Sequence, residues 1–124
     1  MNFTLLEFWE RCPLPNLYVT HPEFKDLYVR KAARCMQLPG RPAKIVANLL
    51  QIARVMAKHP GQGAFGRLVE EIDRDLHCNI YVECVHNKRF AAALPRWQFQ
   101  LLEFPGDPPC FFRPWTAAID YVGP

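Results

Sequence analysis

Gly61, Gly63 and Gly66, set between Lys58-His59-Pro60 and an apolar-periodic run to Leu76, form the stretch best suited to chemistry. Glycines at near-alternate positions leave backbone N–H groups uncovered by side chains. A helix starting there adds four unpaired N–H groups and the positive end of its dipole. Such a loop takes an anion, above all a phosphate or pyrophosphate, without a charged side chain. The same residues also suit a plain strand-to-helix turn, which is ordinary chemistry for Pro and Gly. Other reactive groups are less well arranged. His77, Cys78, Cys84 and His86 flank one strand-like run. Extended, they would point to both faces and lie up to about 25 Å apart, which excludes a tetrahedral zinc site, so no metal is expected. Cys84 and His86 share a strand face, but no carboxylate orients the pair as a nucleophile needs.

The loop requires elements to position it. Phe65, Leu68, Val69, Ile72 and Leu76 fall on one stripe of a helix, with Glu70, Glu71, Asp73, Arg74 and Asp75 on the other face. Ile80 to Val85 is rich in β-formers. His86-Asn87 leads to a short helical pattern through Phe90, Ala91 and Leu94, which Pro95 should stop. Gln98 to Phe104 reads as a further strand, and Cys110-Phe111-Phe112 as the last. Phe104, Phe111, Phe112 and Trp115 suit closure of the core. Upstream, Phe3 to Trp9 suggests a short helix ended by Pro13 and Pro15. Leu17-Tyr18-Val19 and Leu27 to Met36 read as strands, and Leu38 to Pro42 as a turn. Residues 45–58 suit a helix and a strand equally; length favours a helix, since strands average about 5–6 residues.

The order of loop, helix, strand, Asn, short helix and strand resembles the acyl-CoA-binding half of the GCN5-related N-acetyltransferase (GNAT) superfamily. Lys58-x-x-Gly61-x-Gly63 is similar to that family's Gln/Arg-x-x-Gly-x-Gly/Ala pyrophosphate loop. Val82-Glu83-Cys84-Val85-His86-Asn87 is similar to its second strand and helix-opening Asn. Phe99, twelve residues past Asn87, stands where the family has a Gly-Phe pair. More narrowly, Pro60 to Phe99 resembles short acetyltransferase-like proteins encoded by bacteriophages. The likeness covers about residues 44–112 and is densest over residues 58–99.

The resemblance implies an α+β fold: an abbreviated GNAT-like domain spanning residues 1–124, with a central, mixed, mostly antiparallel sheet flanked by helices. It makes residues 45–58 a strand, whose backbone would pair with pantetheine. It implies acetyl-CoA, or another acyl-CoA, held by Met56, Lys58, Gly61, Gln62, Gly63, Ala64, Phe65, Gly66 and Asn87. The implied activity is transfer of an acetyl group to an amine of a protein or small molecule. The alternative is a catalytically weak phage-type relative that binds a bacterial host protein.

The departures bear on catalysis. The family's general acid, a Tyr seven residues past the Asn, is here Leu94, and Gln98 replaces the Gly of Gly-Phe. No Glu or Asp lies in residues 45–58 to act as base. No catalytic residue is assigned on this reading; Tyr81, Glu83 and Tyr28 are the substitutes to examine, each equally suited to an ordinary strand position.

With 124 residues, half of them hydrophobic, the chain suits one packed domain and not a disordered segment. Its 12 prolines are scattered, and no repeat or linker divides it. No run nears the roughly 18 apolar residues of a membrane span, and Met1 to Glu10 lacks the pattern of a secretory signal. Five cysteines without a Cys-x-x-Cys fit reduced thiols and a cytoplasmic setting, that of the host cell for a viral protein. A net charge of +3 does not favour nucleic acid. Arg30, Lys31, Arg34, Arg41 and Lys44 suit either steering of a polyanionic cofactor or a solvated sheet edge.

Overall fold

In the computed structural model, residues 2–37, 40–83, 85–102 and 109–115 are described. Helix α1 (Leu5–Arg11) is closed at its start by a reciprocal pair: Thr4 Oγ1 accepts the Glu7 N–H and Glu7 Oε1 accepts the Thr4 N–H. Strands β1 (Asn16–Tyr18), β2 (Phe24–Met36) and β3 (Lys44–Ala57) follow. Helix α2 (Ala64–Glu71) runs on through a π-turn at Ile72–Leu76 into β4 (Asn79–Val82). Helix α3 (Lys88–Ala93), a 3₁₀ turn (Leu94–Trp97), β5 (Gln100–Leu101) and β6 (Phe111–Arg113) complete the chain.

The strands form one six-stranded sheet in the order β1-β2-β3-β4-β6-β5. All neighbours are antiparallel except β3 and β4, which are parallel and joined through α2, because parallel strands need a crossover. The fold is therefore α+β with a mixed, mostly antiparallel sheet. Residues 45–58 are strand up to Ala57. Period-two patterning explains why: Leu50 and Ile52 enter the core beneath the helices, while Leu49 and Gln51 are buried on the opposite face. A helix would have placed these four side chains around its girth.

The described helices flank the sheet on one face. Leu5 and Phe8 of α1, Phe65, Leu68 and Val69 of α2, Ile72 and Leu76 of the π-turn, and Leu94 all join one cluster with Leu27, Val29, Ile80 and Phe111. The other face carries a smaller cluster of Met36, Leu49, Tyr81, Leu102 and Phe112, to which no described helix contributes.

Several local details differ from expectation. The fourth strand ends at Val82, not Val85. Helix α3 does stop where Pro95 predicts, ending at Ala93 with Leu94 as its cap; what the sequence did not suggest is the 3₁₀ turn that follows, with Pro95 in its first turn. The strand expected from Gln98 is only Gln100–Leu101, since Gln98 takes a left-handed turn conformation at φ 63°. Trp115 stacks on His77 at 5.1 Å. Phe104, Cys84, Leu38 and Pro39 lie outside the described residues. A bulge in β3 places Asn48 at φ 54°, a conformation Asn tolerates. Asn48 Nδ2 donates to the His77 carbonyl, and Asn79 Nδ2 to those of Ala47 and Asn48, stitching β3 to the entry of β4.

Candidate functional site: a divergent strand pair above a glycine loop

Parallel pairing of β3 and β4 lasts four rungs, from Leu49–Asn79 to Ile52–Val82. Beyond them β3 continues to Ala57 bonded to β2 alone, and the chain after Val82 leaves the sheet. Alternate peptide groups of a strand point to opposite neighbours, so part of the 53–57 backbone faces a gap. That gap is a cleft of ≈ 200 Å³ between Ile52–Val55 and the Val82–Asn87 stretch, with Phe90 at its side. Asn87 caps α3, its Oδ1 accepting the Phe90 N–H at 3.0 Å.

β3 hands over to the loop directly. The Lys58 N–H donates to the Glu23 carbonyl at 2.9 Å, the last backbone tie before the turn. Gly61 and Gly63 then take left-handed conformations, at φ 82° and 77°. A side chain strains there by roughly 1–2 kcal/mol. Gly63 opens α2 without any side-chain cap, and its carbonyl receives the Arg67 N–H at 3.2 Å. The first N–H groups of α2 thus have no side-chain acceptor.

Beside this loop lies a second, open pocket of ≈ 350 Å³ lined by Pro22, Glu23, His59, Gln62, Ala64 and Arg67. Arg67 Nε meets both Glu23 carboxylate oxygens, at 2.9 and 3.1 Å. Hydrogen bonding from Arg67 holds the Glu23 carboxyl below its ordinary range and raises the guanidinium in return. The pocket wall is fixed by His21, which is buried. Its Nδ1 accepts the Glu23 N–H at 3.1 Å, so the ring proton must sit on Nε2, 2.8 Å from Glu71 Oε1.

The nine expected cofactor residues fall into three groups. Gly61, Gln62, Gly63 and Ala64 form the loop and the start of α2, and Asn87 lines the cleft. Met56 and Lys58 bracket the end of β3; the Lys58 amide is already engaged by Glu23. Phe65 and Gly66 owe their identities to packing. The Phe65 ring contacts Phe90, Trp97 and Phe99 at centroid distances of 4.8, 5.2 and 5.9 Å. A Cβ on Gly66 would lie 2.9 Å from Trp97 Nε1. Only the amides of these two residues face the loop's chemistry.

Of the three substitute acid–base residues, Glu83 alone lines the cleft. Tyr28 packs against Tyr18 near the sheet edge, the ring centroids 4.6 Å apart and the rings tilted by 34°. Tyr81 is buried on the face opposite the helices, and burial pushes its phenol above the ordinary range. Leu94, where the acid was absent from the sequence, is fully buried. Among the charged residues singled out upstream, Lys31 turns to the helix side and donates to the Cys12 carbonyl at 2.8 Å. Arg30 and Arg34 turn to the other face, toward Glu83 at 3.4 and 3.8 Å. His86 is exposed at the cleft mouth. Among the described residues no group of three or more His, Cys, Asp or Glu side chains could hold a metal. No described helix is long and apolar enough to cross a membrane.

Sequence reasoning missed His21 and Arg113. Arg113, only 4% exposed, grips Asp73 of the π-turn through two hydrogen bonds of 2.6 and 2.7 Å and donates Nε to the Trp97 carbonyl at 2.7 Å. The fold and site thus define an α+β protein with a split parallel pair feeding a glycine-rich helix start. No protein-family model, curated protein or solved structure matches the chain.

Proposed function

We propose that this chain is an acyl-CoA-binding protein of GNAT-like form that transfers an acetyl group to an amine. One observation carries the reading: β3, which leads straight into the Gly61–Gly63 turn and the uncapped start of α2, parts from β4 after Ile52–Val82. The residues present fit such a ligand. Peptide groups along 53–57 that face away from β2 suit the amides of pantetheine, and the N–H groups at the start of α2, where no side chain caps the helix, suit a pyrophosphate. Bound there, acetyl-CoA supplies an activated acyl group as a thioester. Ile52, Val55, Val82, Val85 and Phe90 give the cleft an apolar lining beside its polar groups. Glu83, at the cleft wall, is the group placed to accept the proton released by an attacking amine. With Leu94 buried where the family's acid would stand, that position offers no proton donor, and a thiolate leaving there would be protonated by solvent.

The test is calorimetric titration with acetyl-CoA and then desulfo-CoA, followed by mass spectrometry of acyl transfer. Binding of both ligands, and loss of binding in Gly63→Glu with the fold retained, support the reading; no binding by the intact protein overturns it. The buried Leu94 favours a second reading, a GNAT-like protein that binds acyl-CoA without turnover and acts on a bacterial host protein. Binding without any transfer would favour that one.

A further inference from the structure

On the sheet face opposite the helices, hydrogen-bond donors outnumber acceptors beside the cleft. Arg30 and Gln51 are cross-strand partners on β2 and β3, and Gln51 and Tyr81 on β3 and β4. Arg34 donates Nε to Gln51 Oε1 at 2.9 Å. Gln51 is fully buried, and its Nε2 finds no acceptor among the described residues, an uncommon state for a buried amide. Each guanidinium carries five N–H donors. Among the described residues Glu83 is the one carboxylate the two arginines share, at 3.4 Å from Arg30 and 3.8 Å from Arg34, the latter beyond hydrogen-bond range. Asp26 does not relieve the excess, because it is taken up by Arg54 at 3.3 Å.

The two arginines are held in place and reachable, and the Gln51 amide lies buried directly beneath them. The Arg34 guanidinium lies 5.0 Å from the Tyr81 ring centre and that of Arg30 lies 5.4 Å from the ring of Tyr28. The Arg30 side chain is 38% exposed and that of Arg34 40%. Two cations against one anion leave a local charge of +1, in a cluster whose single carboxylate also lines the cleft. We propose that Arg30, Arg34 and Gln51 form a subsite for a carboxylate group, and that the acyl acceptor is an amine bearing that carboxylate. The assignment to an acceptor rests on the acyl-CoA reading. Glu83 then faces the amine on its cleft side while the arginines hold the acid group, so one residue joins the two halves of the acceptor. A bare cationic amine is disfavoured by the same arginines.

The experiment is titration of ¹⁵N-labelled protein with β-alanine, β-alaninamide and inorganic phosphate, watching the Gln51 side-chain amide and the Arg34 Nε–H. A saturable response to β-alanine, absent with β-alaninamide, is expected. In Arg34→Gln, with the remaining spectrum unchanged, the affinity should fall roughly tenfold or more, the size of a charge-assisted hydrogen bond. No saturable response to β-alanine, an equal response to the amide, or retention of affinity in Arg34→Gln and Arg30→Gln overturns the subsite. Saturation by phosphate alone overturns the carboxylate assignment. A parallel titration with acetyl-CoA reads the Gln62–Gly66 amides. Silence there with a β-alanine response defeats the acyl-CoA reading and the acceptor assignment, whereas the reverse pattern defeats only this inference.

Discussion

Replacing Arg113 with Ala should be strongly destabilising although the residue lies away from the cleft. The side chain is 5% exposed and makes a two-pronged contact with Asp73, besides donating to the Trp97 carbonyl. Truncation strands a carboxylate and a backbone acceptor together. Breaking such a buried pair costs about 3–5 kcal/mol. Asp73 is 24% exposed and regains some water, which places the loss near the lower figure, about 3 kcal/mol. For a domain of this length, each kcal/mol shifts the melting temperature by roughly 4 °C, so a fall of roughly 12 °C follows. Urea and thermal unfolding of Arg113→Ala, Asp73→Asn and the double variant form a cycle. Its coupling should reach about 2 kcal/mol, because removing both partners leaves no unpaired charge. A single-variant loss under about 1 kcal/mol, or strictly additive losses, would refute the claim that this pair ties β6 to the π-turn.

Smaller changes test other positions. Gly63→Ala should cost about 1–2 kcal/mol through its left-handed backbone, and Gly63→Asn less, since Asn tolerates that conformation; chemical denaturation compares them. Gly66→Ala drives a Cβ to 2.9 Å from the Trp97 indole nitrogen. It should destabilise despite the helix preference of Ala, and Trp97→Phe in the same chain should restore about half of the loss or more; equal stability of Gly66→Ala and the parent would contradict that packing. Burial pushes the Cys78 thiol up to about 12, from an ordinary 9.0. The stability that goes with a neutral Cys78 is complete below the unfolded value and is lost as pH rises from there toward about 12. Cys78→Ala should flatten that alkaline decline, and native alkylation near neutral pH should label exposed Cys35 while sparing Cys78. Glu83→Gln should leave acetyl-CoA affinity unchanged and lower transfer by about two powers of ten or more; an unchanged rate removes Glu83 from proton transfer.

What the sequence revealed was mainly what local periodicity encodes. The stripe from Phe65 to Leu76 is buried throughout, and β1, β2, β6 and α1 stand close to where their apolar patterns put them. Residues 45–58 were ambiguous because Leu49 and Leu50 pack on opposite faces, so a strand buried on both sides mimics a helix. Gly66 read as part of an anion cradle, and no local signal marked the packing constraint set by a tryptophan 31 residues later. His21 and Glu71 are 50 residues apart, and Arg113 and Asp73 are 40, so neither pair leaves a local signal. The cleft's carboxylate was visible as a residue but not as a wall, since its place depends on where β4 stops. Helices on one face alone were equally hidden, because an amphipathic stripe records burial and not which side of a sheet provides it.

Four rungs of pairing are all that join β1-β2-β3 to β4-β6-β5 within the sheet. The protein is thus two three-stranded blocks meeting along a short seam, and the gap opens where that seam ends. A molecule bridging both blocks would act as a missing fifth rung, slowing amide exchange in β3 and β4 together. Without it, the seam is the line along which the sheet would yield first.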